Sequence, residues 1–222
     1  IEKEYLHFPV RPQGEERVSL QLWLGSMLLR DCYLALSEEK DCPYFFLNVS
    51  ALKGQTLTLI IPDEKGLTVS ALNGIINGDA PVPGNLLYPG LYQETLRPRF
   101  HFSSRRGWLN DPNGLIYVDG VYHLYYQHNP LGTPHGGVNI SWGHAVSKDL
   151  LHWQEKDDAI LPWRRDWSVA SGSAMLDTCN DAGYGENAII AAFTALGTYN
   201  EIPGRNYASG GQFLAASMDG GD

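Results

Sequence analysis

Trp108-Leu109-Asn110-Asp111-Pro112-Asn113-Gly114-Leu115-Ile116-Tyr117-Val118-Asp119-Gly120-Val121-Tyr122-His123-Leu124-Tyr125-Tyr126-Gln127 is the stretch from which the fold can be read. Gly114 to Val118 and Val121 to Gln127 are two runs of strand formers with only Asp119-Gly120 between them. An Asp-Gly pair accepts the positive φ angles of a two-residue hairpin turn, so the runs are expected to pair antiparallel. Ahead of them, Asn110-Asp111-Pro112-Asn113-Gly114 is rich in turn residues and taken alone reads as an Asx-Pro turn entering a strand. The context adds chemistry to that reading. An aromatic precedes the turn, and Asp111 falls at a strand start, the end that in a propeller faces the central channel. Backbone and Asn110 donors around it would keep the carboxylate ionised, as a nucleophile requires.

Downstream, strands are expected at Ser141 to Ser147, around His152-Trp153-Gln154, and at Ser171 to Asp177, Ile189 to Thr194 and Gln212 to Ser217. Seven short strands amount to one four-stranded propeller blade and three strands of a second, and a propeller needs about four blades to close. The sequence therefore reads as an incomplete β-propeller over residues 91–222, ending on the Asp219-Gly220 turn with its next strand missing. Upstream, Val18 to Leu24 alternates and Gln55 to Ile61 is rich in strand formers, with no capped amphipathic helix between. A small β-sandwich over residues 1–90 is the natural reading. Pro81, Pro83, Gly84, Pro89 and Gly90 form a candidate boundary. The fold class is all-β.

The chain has 222 residues, and its 43% hydrophobic and 11% aromatic content supports real cores. Sixteen Lys and Arg against 25 Asp and Glu give a formal net charge of −9, which argues against nucleic acid or an anionic lipid surface as partner. No apolar run reaches the roughly 18 residues of a membrane span, and Ile1-Glu2-Lys3-Glu4 is no signal peptide but fits a processed start. Cys32, Cys42 and Cys179 lack metal-ligand spacing; Cys32 and Cys42 either close a small loop or remain free buried thiols. Asn48-Val49-Ser50 and Asn139-Ile140-Ser141 match the glycosylation sequon, a pattern common by chance.

Several linked motifs, in order and spacing from about Arg97 to the end, resemble glycoside hydrolase family 32, the invertases, inulinases and levanases. They are Arg97-Pro98-Arg99-Phe100-His101-Phe102, Gly107 to Gly114, Tyr125-Tyr126-Gln127, and Trp142-Gly143-His144-Ala145 with Ser147, Asp149-Leu150 and His152-Trp153. Residues 1–90 resemble the sandwich that precedes the propeller in some bacterial levanases. The resemblance implies a five-bladed β-propeller with an axial site and a retaining mechanism. Asp111 aligns with the nucleophile that attacks the anomeric carbon of a β-fructofuranosyl unit, while a second carboxyl group about 5 Å away protonates the leaving oxygen. Asn110 and Gln127 align with residues that hydrogen-bond the fructosyl hydroxyls, and Ser171 in Ser171-Gly172-Ser173 is the candidate contact from a serine-containing stretch lining the same subsite. The implied partner is a fructan or sucrose-like carbohydrate, and the implied location is secreted, periplasmic or cell-surface. No metal or cofactor is implied, and oligomeric state is not legible.

The sequence departs from the family pattern at Gly137 and Ala170, where aromatic residues are common, which bears on the wall around the sugar. The family's Arg-Asp-Pro and Glu-Cys motifs, which hold its transition-state stabiliser and its acid/base, do not occur in these 222 residues. Asp149, Asp157, Asp158, Asp166, Asp177 and Glu186 each read as carboxylates of solvated turns, Trp142 and Trp153 as blade core, and His144 and His152 as satisfied structural histidines. The expected protein is a retaining glycosidase whose acid is not in this chain, which alone is expected to be inactive. Its rivals are another propeller glycosidase, a fructosyltransferase, or a non-catalytic carbohydrate-binding protein.

Overall fold

A computed structural model describes residues 1–11, 17–39, 42, 44–62, 69–79, 91–131, 139–162, 167–199 and 207–221. The proline-rich boundary at 81–90, Gly137 and Asp166 lie outside them.

The amino-terminal part forms two three-stranded antiparallel sheets. One orders β4 (Tyr44–Asn48), β1 (Tyr5–Pro9) and β6 (Ile76–Gly78). The other orders β3 (Met27–Leu34), β2 (Val18–Leu24) and β5 (Thr58–Ile60). Alternate residues of both sheets, among them Phe8, Leu20, Leu22, Leu34, Phe45 and Leu47, bury into one core, with Phe8 and Phe45 stacked at 5.8 Å. The two sheets enclose this core between them as a β-sandwich. The strand expected from Gln55 is shorter, because the chain's amino group donates to Gln55 O and Gly54 N to Ile1 O, which occupies that backbone before β5 starts. A five-residue helix, α1 (Val69–Asn73), also appears where only strands were expected, and its Ala71 packs into the sandwich core. Cys32 and Cys42 are both free and buried, and burial pushes the Cys32 thiol up to about 12.

The carboxy-terminal part holds a four-stranded meander and a three-stranded one. In the first, β7 (Trp108–Val118), β8 (Val121–Asn129), β9 (Ser141–Ser147) and β10 (Trp153–Glu155) lie in sequence order, β7 innermost. In the second, β11 (Trp167–Asp177), β12 (Ala188–Tyr199) and β13 (Tyr207–Ser217) follow. These are the first two blades of a propeller. The turn between β7 and β8 is the Asp119-Gly120 pair, at φ 48° and 85°, as a type I′ turn requires. Between the blades lies a second core of Tyr125, Trp142, Val169, Ala191, Phe193 and Ala195. Trp142 is fully buried within it, and Trp153 lies under Phe102 at 6.1 Å.

Two expectations about carboxylates are corrected. Asp158 is not in a solvated turn: its largely buried side chain pairs with His128 Nδ1 at 2.8 Å and accepts from Ser141 Oγ at 3.0 Å. Asp177 is also buried, and its two oxygens accept the backbone N–H groups of Asp181 and Ala182 at 2.9 and 2.8 Å. Both carboxylates are enclosed with hydrogen-bond partners around them, those of Asp158 coming from β8 and β9, an arrangement that single-sequence spacing does not expose. The sequon residue Asn139 is buried, with its amide nitrogen donating to Tyr33 O at 2.7 Å.

Candidate active site

β7 does not run in regular register with β8. Leu109 pairs with His128 and Pro112 with Tyr126, so Asn110 and Asp111 together stand opposite the single residue Gln127. This is a β-bulge, which breaks the in-out alternation and re-aims the extra side chain. Asp111 is therefore not at a strand start after an Asx-Pro turn, as expected, but the fourth residue of β7, and the bulge leaves it and Pro112 both exposed within the strand. Pro112 has no N–H to give a ladder, and β7 is an edge strand of its sheet, the position where proline is tolerated.

The second blade repeats the device. On β11, Val169 pairs with Ala195 and Gly172 with Phe193, so Ala170 and Ser171 oppose the single residue Thr194. The two bulges face each other across the blade junction, and Ser171 Oγ donates to Asp111 Oδ2 at 3.1 Å although sixty residues separate them. Gly172 is required there because a Cβ would stand 2.0 Å from Ala192 O.

Beneath this pair the side chains are tied down. Gln127 is buried, and its Nε2 donates to Val169 O at 3.0 Å. Trp142 Nε1 donates to Ala170 O at 2.9 Å, and Val169 N donates to Ile140 O at 2.8 Å. Buried Asn113 is surrounded by donors, and with its amide oriented to satisfy them Oδ1 accepts from Gln127 Nε2 (2.9 Å) and Trp142 Nε1 (3.2 Å). Asn110 Oδ1 accepts from Trp108 Nε1 at 2.9 Å, which holds its amide beside Asp111. Gly114 lets the strand pass over this layer: at φ +49°, its missing Cβ leaves room for Trp142, Tyr125 and Ala174, all within 3.2 Å of that position.

Of the four residues singled out from the sequence, Asp111 and Ser171 are thus in direct contact, Asn110 flanks them, and Gln127 lies one layer below. Among the described residues no other carboxylate shares a hydrogen bond with Asp111, and no three of His, Cys, Asp and Glu group as metal ligands. His144 stacks on Tyr125 at 4.5 Å with its Nε2 3.0 Å from His123 Nδ1, and His152 pairs with Asp149. Sequence reasoning missed the inter-blade donors. Trp142 was visible only as core, and nothing in one sequence reports that its N–H ends on Ala170 O.

Comparison with known proteins fits these observations. The profile "Glycosyl hydrolases family 32 N-terminal domain" matches residues 101–221. The extracellular exo-inulinase of Aspergillus awamori is 40% identical over 141 residues, 60% of this chain and 24% of that protein. Invertase 1 of Saccharomyces cerevisiae is 42% identical over 56% of the chain and 23% of its own length, and the levanase of Bacillus subtilis 42% identical over 46% and 15%. The chain spans about a quarter or less of the length of these relatives. The crystal structure of the Aspergillus awamori exo-inulinase aligns over 59% of this chain and 27% of its own, with a TM-score of 0.52 at 39% identity. A glycoside hydrolase family 32 structure from Bifidobacterium adolescentis aligns over 99% of this chain and 38% of its own, with a TM-score of 0.55 at 24% identity, and so shares the fold through the sandwich as well. With the profile covering more than half of its residues, the chain belongs to glycosyl hydrolase family 32.

Proposed function

We propose that this chain carries the nucleophile of a secreted retaining β-fructosidase acting on fructans or sucrose-like substrates. The observation that carries the reading is the Ser171–Asp111 hydrogen bond, which joins two opposed bulges on the inner strands of adjacent blades. Residues 1–90 serve as an accessory sandwich domain and 91–222 as the catalytic propeller portion. The names of the relatives, exo-inulinase, invertase and levanase, supply the substrate class, and the extracellular inulinase supplies the location.

In this mechanism Asp111 attacks the anomeric carbon of a β-fructofuranosyl unit with the oxygen not engaged by Ser171. The leaving oxygen takes a proton from a second carboxyl group, and water then cleaves the fructosyl ester with inversion again, so configuration is retained. Asn110, Ser171 and Gln127 bind sugar hydroxyls. With Nε2 of Gln127 committed to Val169 O, its Oε1 is the acceptor offered to the sugar. The general acid belongs to the three-quarters of the relatives' length that this chain does not match. Asp111→Asn in the complete protein tests the reading: substrate binding persists while fructose release falls by several orders of magnitude, as expected when a nucleophile is removed. Near-normal turnover in that variant would overturn it.

A further inference from the structure

We propose that Trp142 is a positioning residue for the catalytic pair, acting through its indole N–H rather than through its bulk alone. The proposal rests on the reading of Asp111 as nucleophile. A bulge removes backbone groups from the strand ladder, and each buried one then needs another partner. On β11 the bulge spans Ala170 and Ser171. The carbonyl of Ala170 is taken by Trp142 Nε1 at 2.9 Å and that of the preceding Val169 by Gln127 Nε2 at 3.0 Å. Both donors belong to the first blade, so the second blade's bulge takes its shape from the neighbouring blade.

With the Asn113 amide oriented to satisfy its surrounding donors, the same indole N–H reaches Asn113 Oδ1 at 3.2 Å, and Asn113 lies two residues beyond Asp111 on β7. One donor therefore spans both inner strands, gripping β11 one residue before Ser171 and β7 two residues after Asp111. Trp142 itself has no freedom to wander: it is fully buried, its ring lies 6.0 Å from Phe193 and 5.9 Å from Tyr125, and its backbone N donates to Ile160 O at 2.9 Å. A rigid donor that fixes the separation of two reacting-site strands is what orientation effects demand, since misplacement by about 1 Å can cost roughly 10²-fold in rate.

The test is a double-variant cycle in the complete protein: Trp142→Phe, Ser171→Ala and the two together, with Asp111→Asn in parallel. Trp142→Phe should lower kcat by about tenfold or more with KM within about twofold, and adding it to Ser171→Ala should cost little further, because both act through the serine–aspartate contact. Replacing Trp142 by 3-benzothienylalanine, which keeps the ring volume and lacks the N–H, should reproduce the kcat loss and serves if the phenylalanine variant does not fold. Normal kcat in the benzothienyl variant, or losses that simply multiply in the double variant, overturn the proposal. Turnover surviving in Asp111→Asn instead overturns the nucleophile assignment beneath it.

Discussion

Asp111 owes its exposure to one extra residue. In a regular strand, neighbours alternate faces, but the two-against-one count opposite Gln127 sets Asp111 and Pro112 both outward. The carboxylate then meets Ser171 Oγ, which donates a charge-assisted hydrogen bond to Oδ2 at 3.1 Å. Ser171→Ala in the complete protein should therefore lower kcat/KM by about 10- to 100-fold while leaving the thermal midpoint nearly unchanged, because the site is exposed. Steady-state kinetics beside a melting curve check both halves. Gln127→Ala should lower kcat more than it raises KM if its sugar contact tightens in the transition state, and it should also cost stability, since Val169 O loses its donor. A rise in KM alone would mark it as a uniform contact.

At the level of elements, the meander order of β7 to β10 was legible because runs of strand formers follow one another at short spacing and the Asp119-Gly120 turn dictates how the first two pair. The bulges were not legible. Asn110-Asp111 and Ala170-Ser171 look like ordinary turn and small residues, and only cross-strand register reveals the extra residue. Gly172 is the clearest consequence: its place in a Ser-Gly-Ser stretch suggests a turn, but it lies within β11, where a Cβ would strike Ala192 O. Gly172→Ala should destabilise by about 1–3 kcal/mol in chemical denaturation, as overpacking does, and should lower activity with it. The buried pair between β8 and the segment after β10 was likewise hidden. Burial disfavours the charged forms of both His128 and Asp158. Even so, the Asp158 charge and hydrogen bond hold His128 above the usual imidazole range, while His128, Arg106 and Ser141 hold Asp158 below the usual carboxylate range. A lowered Asp158 stabilises above its unfolded value and is lost as pH falls through the folded one. A raised His128 stabilises below its unfolded value and is lost as pH rises through the folded one. The pair's contribution is complete between roughly pH 4 and 6.5. The thermal midpoint should therefore decline above that window. His128→Gln should lower stability most within the window, by about 3 kcal/mol or less, because Asp158 loses its hydrogen-bonded cation and keeps only the Arg106 charge and the Ser141 hydroxyl. Melting curves at pH 5 and 8 for both proteins decide it.

Across the whole molecule, sandwich and propeller meet through Leu131 and Leu161, which pack into the sandwich core, and through polar and cationic contacts that neither half announces in sequence. Arg106, two residues before β7, donates to Tyr44 O and lies 3.9 Å over the Phe46 ring, while its own carbonyl accepts from His128 Nε2. Tyr5 and Asn48 of the sandwich both donate to Asp157, at 3.1 and 3.0 Å. The two halves could be recognised separately by strand pattern and motif, but their junction depends on long-range pairs that carry no local periodicity. The outer blade has a different character: Met175, Leu196 and Leu214 are exposed, and β13 is an edge strand of its sheet. Expressed by itself, the 222-residue polypeptide should self-associate through that edge and apolar face, and should release no fructose from levan, inulin or sucrose. Light scattering and a product assay report both properties, and an active monomer would contradict them. Mass spectrometry of the complete protein, quenched in acid during turnover and digested, reads the role of Asp111 directly. The peptide containing Trp108 to Gly114 should carry one fructosyl unit esterified to Asp111. An adduct on another residue, with Asp111 unmodified, would rule out Asp111 as the nucleophile.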